Sequence, residues 1–215
     1  TCVQSDSIKG MAQSIAKPAY HRLLIAEPAL RRAVPTLIIA FLITICIGAF
    51  VQVIDQTRQK RASMKRDLSA LADLLANRLR EHGVELVVGM PTLGLTLASA
   101  VARHLGHSRY LPLGTSPKFW YRDELSVPIA SVTTSTERQL YIDPRLLPLL
   151  DGRRIALIDD VISSGRSIVA GIELLAACGS TPAVIGAAML QGSRWQEAPS
   201  TALPQWQERT VGVFA

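Results

Sequence analysis

The pattern of apolar and polar residues divides the chain into one long uncharged run and a series of short apolar segments. Residues 33–54 contain no charged side chain, and this run of 22 residues is long enough to cross the hydrocarbon core of a bilayer. Pro35 lies in its first turn, where proline is compatible with a helix. The pattern predicts a single transmembrane helix over 33–54, with a buried helix of a soluble protein as the alternative.

Beyond this run the apolar positions change their spacing. Leucines from Leu68 to Leu79 recur at helical intervals and predict a helix over 57–82, which ends before Gly83. Short apolar runs then alternate with helical patterns. They predict strands over 84–90, 110–113, 154–158, 183–190 and 210–214, helices over 93–105 and 167–178, and a mixed stretch over 116–142. Such alternation predicts an α/β fold with a mainly parallel sheet flanked by helices.

The basic character of the chain is confined to its first third. The net charge is +6 for the whole chain, +7 for residues 1–66 and −1 for residues 67–215. Three basic residues precede the apolar run and five follow it within about 15 residues. This favours a cytoplasmic C-terminal side. We therefore predict lipid headgroups, and not nucleic acid, as the partner of the basic region.

These patterns give a linear organisation. We expect a basic N-terminal segment over 1–32, the transmembrane helix over 33–54, a basic linker helix over 55–82 and an α/β domain over 83–215. The predicted location is the inner or plasma membrane, or the cytoplasm if the N-terminal segment is absent from the working protein. Three cysteines without CxxC spacing argue against a disulfide framework and a Cys-rich zinc site, and the four histidines show no pairing.

The segment that carries most chemical information is Arg154–Ala170, which reads RIALIDDVISSGRSIVA. A buried strand ends in Asp159 and Asp160, and a loop of small residues, Ser163–Ser167, opens a helix. Backbone N–H groups at a helix N-terminus suit a phosphate, and two carboxylates suit hydroxyl donors or hydrated Mg²⁺. A simple helix cap and a two-component receiver domain are the alternatives, and neither needs the acidic pair together with this loop.

This segment resembles the phosphoribosyl pyrophosphate motif of the type I phosphoribosyltransferases, and the similarity covers about residues 70–215. The resemblance implies that Asp159 and Asp160 contact the ribose hydroxyls, directly or through water on a bound metal. It implies Mg²⁺ as the cofactor. It also implies that the 5′-phosphate is held by the loop residues Ser163, Ser164, Gly165, Arg166 and Ser167.

A second segment agrees with this resemblance. Val87–Ala98 reads VVGMPTLGLTLA and is similar to the pyrophosphate loop of the family. Glycine and proline between a strand and a helix are ordinary turn residues, so the position of the segment one βα unit before the acidic motif gives it weight. The resemblance implies that the pyrophosphate is faced by Met90, Pro91, Thr92 and Leu93.

A third segment, Gly114–Ser126, combines basic and aromatic residues. Family members carry a mobile loop here that closes over the active site and excludes water. By this resemblance Lys118 and Arg122 are catalytic residues that stabilise the departing pyrophosphate. The aromatic residues either stack on a base or hold the loop in place, and this applies above all to Trp120.

The resemblance implies displacement of pyrophosphate from the sugar C1 by a ring nitrogen of a nucleobase, with a homodimer as one assembly to consider. In the 6-oxopurine members a carboxylate stands where this chain has Ser163. This favours the adenine phosphoribosyltransferase-like branch. Met189, Leu190 and Gln191 are candidates for the base pocket, whereas Trp195 and Trp206 have no assigned role.

Two other functions stay open at this stage. One is a non-catalytic module on a membrane anchor that senses phosphoribosyl pyrophosphate or a nucleotide. The other is an inactive fragment attached to the membrane. Retention of Asp159 and Asp160 favours catalysis, whereas the absence of a recognisable segment that closes over the base favours sensing.

Overall fold

The structure of the protein is a computed structural model that describes residues 28–129 and 138–214. Two compact units meet between Arg61 and Ala62 in the chain. Helix α1 spans Pro28–Arg80, so it includes the predicted segment 33–54 and all but the last two residues of the predicted segment 57–82. In its apolar part an 18-residue window has a mean hydropathy of 2.8 and none of it is buried. By length and composition, this helix can cross a membrane.

The second unit is built on a five-stranded sheet. Its strands are β1 (Leu86–Gly89), β2 (Leu111–Pro112), β5 (Ile155–Ile162), β6 (Pro182–Leu190) and β7 (Thr210–Phe214). They are all parallel, in the order β2-β1-β5-β6-β7. The predicted parallel sheet is confirmed, and β5, which carries the acidic pair, lies at its centre.

Helices cover both faces of this sheet, because its strands carry apolar side chains on each face. Ala156 and Ile158 pack with helix α2 (Gly94–His104) and with the end of α1. Ile155 and Leu157 pack on the opposite face with helix α3 (Arg166–Ala177). These two clusters form the hydrophobic core.

The end of α1 belongs to this core. The sequence predicts a basic linker helix over 55–82, but its last turns carry fully buried apolar side chains, namely Ala72, Leu75, Ala76 and Leu79. They pack against apolar residues of α2 and of the sheet. This part of the helix therefore forms one of the layers of the domain.

The stretch predicted as mixed contains a two-stranded antiparallel sheet, β3 (Ser126–Ile129) and β4 (Arg138–Tyr141). Short 3₁₀ helices flank it at Asp123–Leu125 and Pro144–Leu149. Two further 3₁₀ helices, Arg194–Glu197 and Trp206–Arg209, lie between β6 and β7. Helix α3 packs against β3 and β4, so this small sheet lies on the face of the domain that carries α3.

Candidate active site

The acidic pair lies inside the central strand and not after it. The sequence predicts a strand that stops at Ile158, whereas β5 continues to Ile162 and pairs Asp159 with Ala187 of β6. Continued pairing with β6 stabilises the longer strand, and this pairing partner is distant in the sequence. The phosphate loop is therefore reduced to Ser163–Gly165, because α3 begins at Arg166.

Asp159 is a buried carboxyl group. It is 6% exposed, and its Oδ1 accepts a hydrogen bond of 2.9 Å from the backbone N–H of Asp160. Burial raises the pKa of Asp159 to about 8, with a further contribution from the neighbouring Asp160 carboxyl. In the free protein, Asp159 therefore keeps its proton at neutral pH more often than it loses it.

A small cavity of about 100 Å³ opens beside this carboxyl group. Its lining combines the acidic residue with the phosphate loop and the start of α3: Asp159, Val161, Ile162, Ser163, Ser164, Gly165, Ser167 and Ile168. No side chain caps the N-terminus of α3. The first-turn N–H groups of an uncapped helix have no intrahelical partner and carry a partial positive charge. The cavity can therefore accept an anion.

A second helix N-terminus lies against the same carboxyl group. Gly94 is the first residue of α2, and a Cβ there would lie 2.8 Å from Asp159 Oδ1 and 3.0 Å from Asp159 Cα. Only glycine permits this approach. Helix α2 also has no capping side chain. Sequence reasoning identified Gly94 only as a turn residue, because the strand that it approaches is distant in the sequence.

The loop between β1 and α2 presents three of its four predicted residues. Thr92 and Leu93 are exposed, Pro91 is partly exposed, and the peptide bond between Pro91 and Thr92 is cis. Met90 differs from the prediction. Its side chain is fully buried against Gly171, and its N–H donates to the Ile158 carbonyl at 2.8 Å. Neither group of Met90 is therefore available to a ligand.

Trp120 contacts the domain from within the 114–126 segment. Trp120 Nε1 donates to Asp143 Oδ2 at 3.3 Å, and the guanidinium carbon of Arg145 lies 4.5 Å from the centre of the Trp120 ring. Of the two roles considered for Trp120, the structure shows the packing role. Lys118 and Arg122 are exposed on either side of it.

Asp143 and Arg145 were missed by sequence reasoning. The Asp143 carboxylate accepts hydrogen bonds from Arg145 N at 3.0 Å and from Arg145 Nε at 2.9 Å. These bonds, mainly from the Arg145 side chain, hold the pKa of Asp143 at about 2. The signal was present in the sequence, since Asp-Pro is a typical start of a helix. The sequence did not indicate that Trp120 would contact this pair.

The structure brings some predicted site residues together and leaves others apart. Asp159, Ser163, Ser164, Gly165 and Ser167 line one cavity. In the described part of the chain, no hydrogen bond or salt bridge joins Lys118 or Arg122 to the acidic pair. The catalytic roles of these two basic residues stay predictions.

Comparison with known proteins identifies this arrangement. A family model described as the phosphoribosyl transferase domain matches residues 63–213, which include both helix N-termini and the acidic pair. The chain belongs to the phosphoribosyl transferase domain family. The type I phosphoribosyltransferase resemblance is thereby confirmed.

The relatives of the chain carry different names. The chain is 35% identical over 111 residues to the bifunctional protein PyrR of Pseudomonas aeruginosa, which covers 50% of this chain and 59% of that protein. It is 30% identical over 113 residues to an adenine phosphoribosyltransferase of Novosphingobium aromaticivorans, covering 53% of this chain and 60% of the relative. The chain thus spans about three fifths of these relatives.

Solved structures show the same fold. The adenine phosphoribosyltransferase of Giardia lamblia, complexed with 9-deazaadenine, superposes with a TM-score of 0.55 at 19% identity, covering 71% of this chain and 81% of that one. At this identity the similarity concerns the fold alone. It confirms the α/β phosphoribosyltransferase fold.

Proposed function

We propose that the domain transfers the 5-phosphoribosyl group of phosphoribosyl pyrophosphate to a nitrogenous base and releases pyrophosphate. The observation that carries this proposal is the position of Asp159, which lies against the N-terminus of α2 and lines the cavity at the N-terminus of α3. Neither helix has a capping side chain. A sugar with phosphate groups at both ends supplies an anion to each helix and hydroxyl groups to the carboxylates between them.

Each group then has a defined task. The first turn of α3, with the hydroxyls of Ser163, Ser164 and Ser167, binds the 5′-phosphate. Asp159 and Asp160 accept hydrogen bonds from the ribose hydroxyls. The transition state resembles an oxocarbenium ion, so positioning and electrostatic stabilisation supply the catalysis. Lys118 and Arg122 lie on an exposed segment and place positive charge on the leaving pyrophosphate when that segment closes.

The donor set suits a magnesium ion that is shared with the substrate. Within the described ranges, no cluster of three or more His, Cys, Asp or Glu side chains can hold a metal by itself. Mg²⁺ commonly takes one or two carboxylates and completes its shell with water and substrate phosphates. Asp159 and Asp160 would hold it in this way. When bound, the ion would supply positive charge that neutralises the pyrophosphate.

Adenine is the base that we favour. Val161, Met189 and Phe214 are in register across β5, β6 and β7 near their carboxyl ends and are 38%, 43% and 56% exposed. Exposed apolar side chains at this edge suit the flat face of a heterocycle. Ser163 lines the neighbouring cavity where 6-oxopurine members of the family carry a carboxylate. This supports an adenine-like purine over hypoxanthine or guanine.

The test is a turnover assay on the full chain in a mild detergent. Phosphoribosyl pyrophosphate, Mg²⁺ and a panel of adenine, hypoxanthine, guanine, xanthine and uracil are supplied, and pyrophosphate release is followed. We expect release with adenine. Asp160→Asn should lower the turnover by about 100-fold or more with little change in the unfolding midpoint, whereas Asp151→Asn, on an exposed turn, should leave both unchanged.

Other outcomes of this assay contradict the proposal in different ways. Binding of phosphoribosyl pyrophosphate without release on any base would support the sensing module. The name bifunctional protein PyrR among the relatives makes this a real alternative to a purely catalytic domain. Full turnover by Asp160→Asn would show that the ribose assignment is wrong.

We also propose that residues 33–54 anchor the chain in a membrane. The support is the exposure of the side chains over 37–54 together with the hydropathy of this part of α1. The full chain should sediment with membranes and resist extraction by salt. Ile43→Lys combined with Ile47→Lys should move it to the soluble fraction, since a charge at the centre of a helix opposes insertion. Recovery of the wild-type chain in the soluble fraction would overturn the anchor.

A further inference from the structure

Trp206 lies directly against the phosphate loop. Its side chain is fully buried at the start of the 3₁₀ helix Trp206–Arg209. A Cβ built on Gly165 would lie 3.0 Å from Trp206 Cζ2, 3.2 Å from Trp206 Cη2 and 3.0 Å from the Cβ of Ala198. Gly165 has a φ of +78°, a conformation that favours glycine. The edge of the indole and Ala198 therefore limit where the backbone of this loop can lie.

The indole is itself fixed. Its Nε1 donates a hydrogen bond of 2.9 Å to the carbonyl of Ala198, and Gln207 Nε2 donates to the same oxygen at 2.8 Å. The ring of Trp195 packs beside it with 5.9 Å between centroids. Trp195 Nε1 is in turn bonded to the Gly192 carbonyl at 2.9 Å. The segment between β6 and β7 thus supports Trp206 through hydrogen bonds and ring packing.

We infer that Trp206 is a positioning residue for anion binding by the phosphate loop. No side chain caps α3. Gly165 is held at the start of the helix by the hydrogen bond that its carbonyl accepts from the Val169 N–H at 2.9 Å and by the contact with Trp206 and Ala198. The position of Gly165 sets the direction of the N–H groups in the first turn. Donors that are already ordered bind an anion without the entropic cost of ordering them. This inference rests on the proposed function, since it takes the anion to be the 5′-phosphate of the sugar.

The test separates the two anion sites of the domain. Binding of ribose 5-phosphate, which reports on the α3 site, and of pyrophosphate, which reports on the loop before α2, is measured by calorimetry on the full chain. We expect Trp206→Leu to weaken the binding of ribose 5-phosphate by about tenfold or more. The binding of pyrophosphate should weaken by less than about threefold. If Trp206 contributed only to global stability, the binding of both ligands would weaken to the same extent.

Two further variants make the test independent of whether the leucine variant folds. Trp206→Phe keeps an aromatic ring but loses the Nε1 donor and the ring atoms nearest Gly165. It should weaken the binding of ribose 5-phosphate alone, by a smaller factor than Trp206→Leu. Tyr110→Phe is the matched control, because Tyr110 packs against the hydrophobic cluster on the other face of the sheet, which contains neither Trp206 nor Gly165. It should change both affinities by less than about threefold.

The possible failures are distinguishable. Two results would overturn the positioning role in a wild-type chain that binds both ligands. One is unchanged binding of ribose 5-phosphate by both Trp206 variants, and the other is an equal loss of affinity for both ligands. A wild-type chain that binds neither ligand would overturn the proposed function, and the positioning role with it.

Discussion

Replacing Asp159 by asparagine should make the free protein more stable and at the same time inactive. Burial raises the pKa of this carboxyl from 3.8 to about 8. Between these two values the folded chain keeps a proton that the unfolded chain has lost. Stability therefore falls as the pH rises through this window, by about 1.4 kcal/mol per pH unit.

The magnitude at pH 7 follows from this slope. The three pH units above the ordinary pKa of Asp159 correspond to about 4 kcal/mol of lost stability. Asparagine has no such ionisation but still carries a polar group into a buried site, which costs about 1–2 kcal/mol. Its Oδ1 can still accept the N–H of Asp160. We therefore expect a net gain of about 2–3 kcal/mol at pH 7 and less at pH 5.

Urea unfolding at pH 5 and pH 8 measures this effect. All three tryptophans, Trp120, Trp195 and Trp206, lie in the unit that begins at Ala62, so their fluorescence reports on the domain. The exposed Asp151→Asn is the control and should show no gain at either pH. Turnover of Asp159→Asn should fall by about 100-fold or more. A variant less stable than the wild type at pH 8, or a gain independent of pH, would refute the reasoning.

Three further predictions follow from other contacts. Gly94→Ala places a Cβ 2.8 Å from Asp159 Oδ1 and should lower the free energy of unfolding in urea by about 1–3 kcal/mol. The control Gly114→Ala meets nothing within 4 Å and should lower it little. Equal losses of stability would contradict the close approach. Lys118→Ala should lower kcat by about 10-fold or more with a smaller change in KM for phosphoribosyl pyrophosphate. A change in KM alone would argue against stabilisation of the leaving group. Asp143→Asn should reduce the free energy of unfolding at pH 5 and less so at pH 3. The reason is that the stability gained from the lowered pKa of Asp143 is lost as the pH falls from 3.8 toward 2. The same loss of stability at both pH values would show that packing, not charge, holds Trp120.

Local sequence was sufficient for the features that depend on neighbouring residues. The strand β7 was predicted at its final bounds, Thr210–Phe214, and the apolar run over 33–54 lies within the longer helix α1. The phosphate loop was predicted over Ser163–Ser167, between a strand and a helix, and its first three residues lie between β5 and α3. Hydrophobic periodicity and turn residues carry this information because they act over a few positions along the chain.

Tertiary structure decided the properties that make these segments a site. The pKa of Asp159 depends on burial in β5, and the contact of Gly94 with Asp159 joins two strand-helix units. Trp206 reaches Gly165 across about 40 residues of sequence, and Trp120 reaches Asp143 in the same way. The order of strands in the sheet brings these pairs together. Sequence alone therefore identified the candidate residues for binding a phosphorylated sugar, whereas packing between distant segments determined their protonation, their spacing and their support.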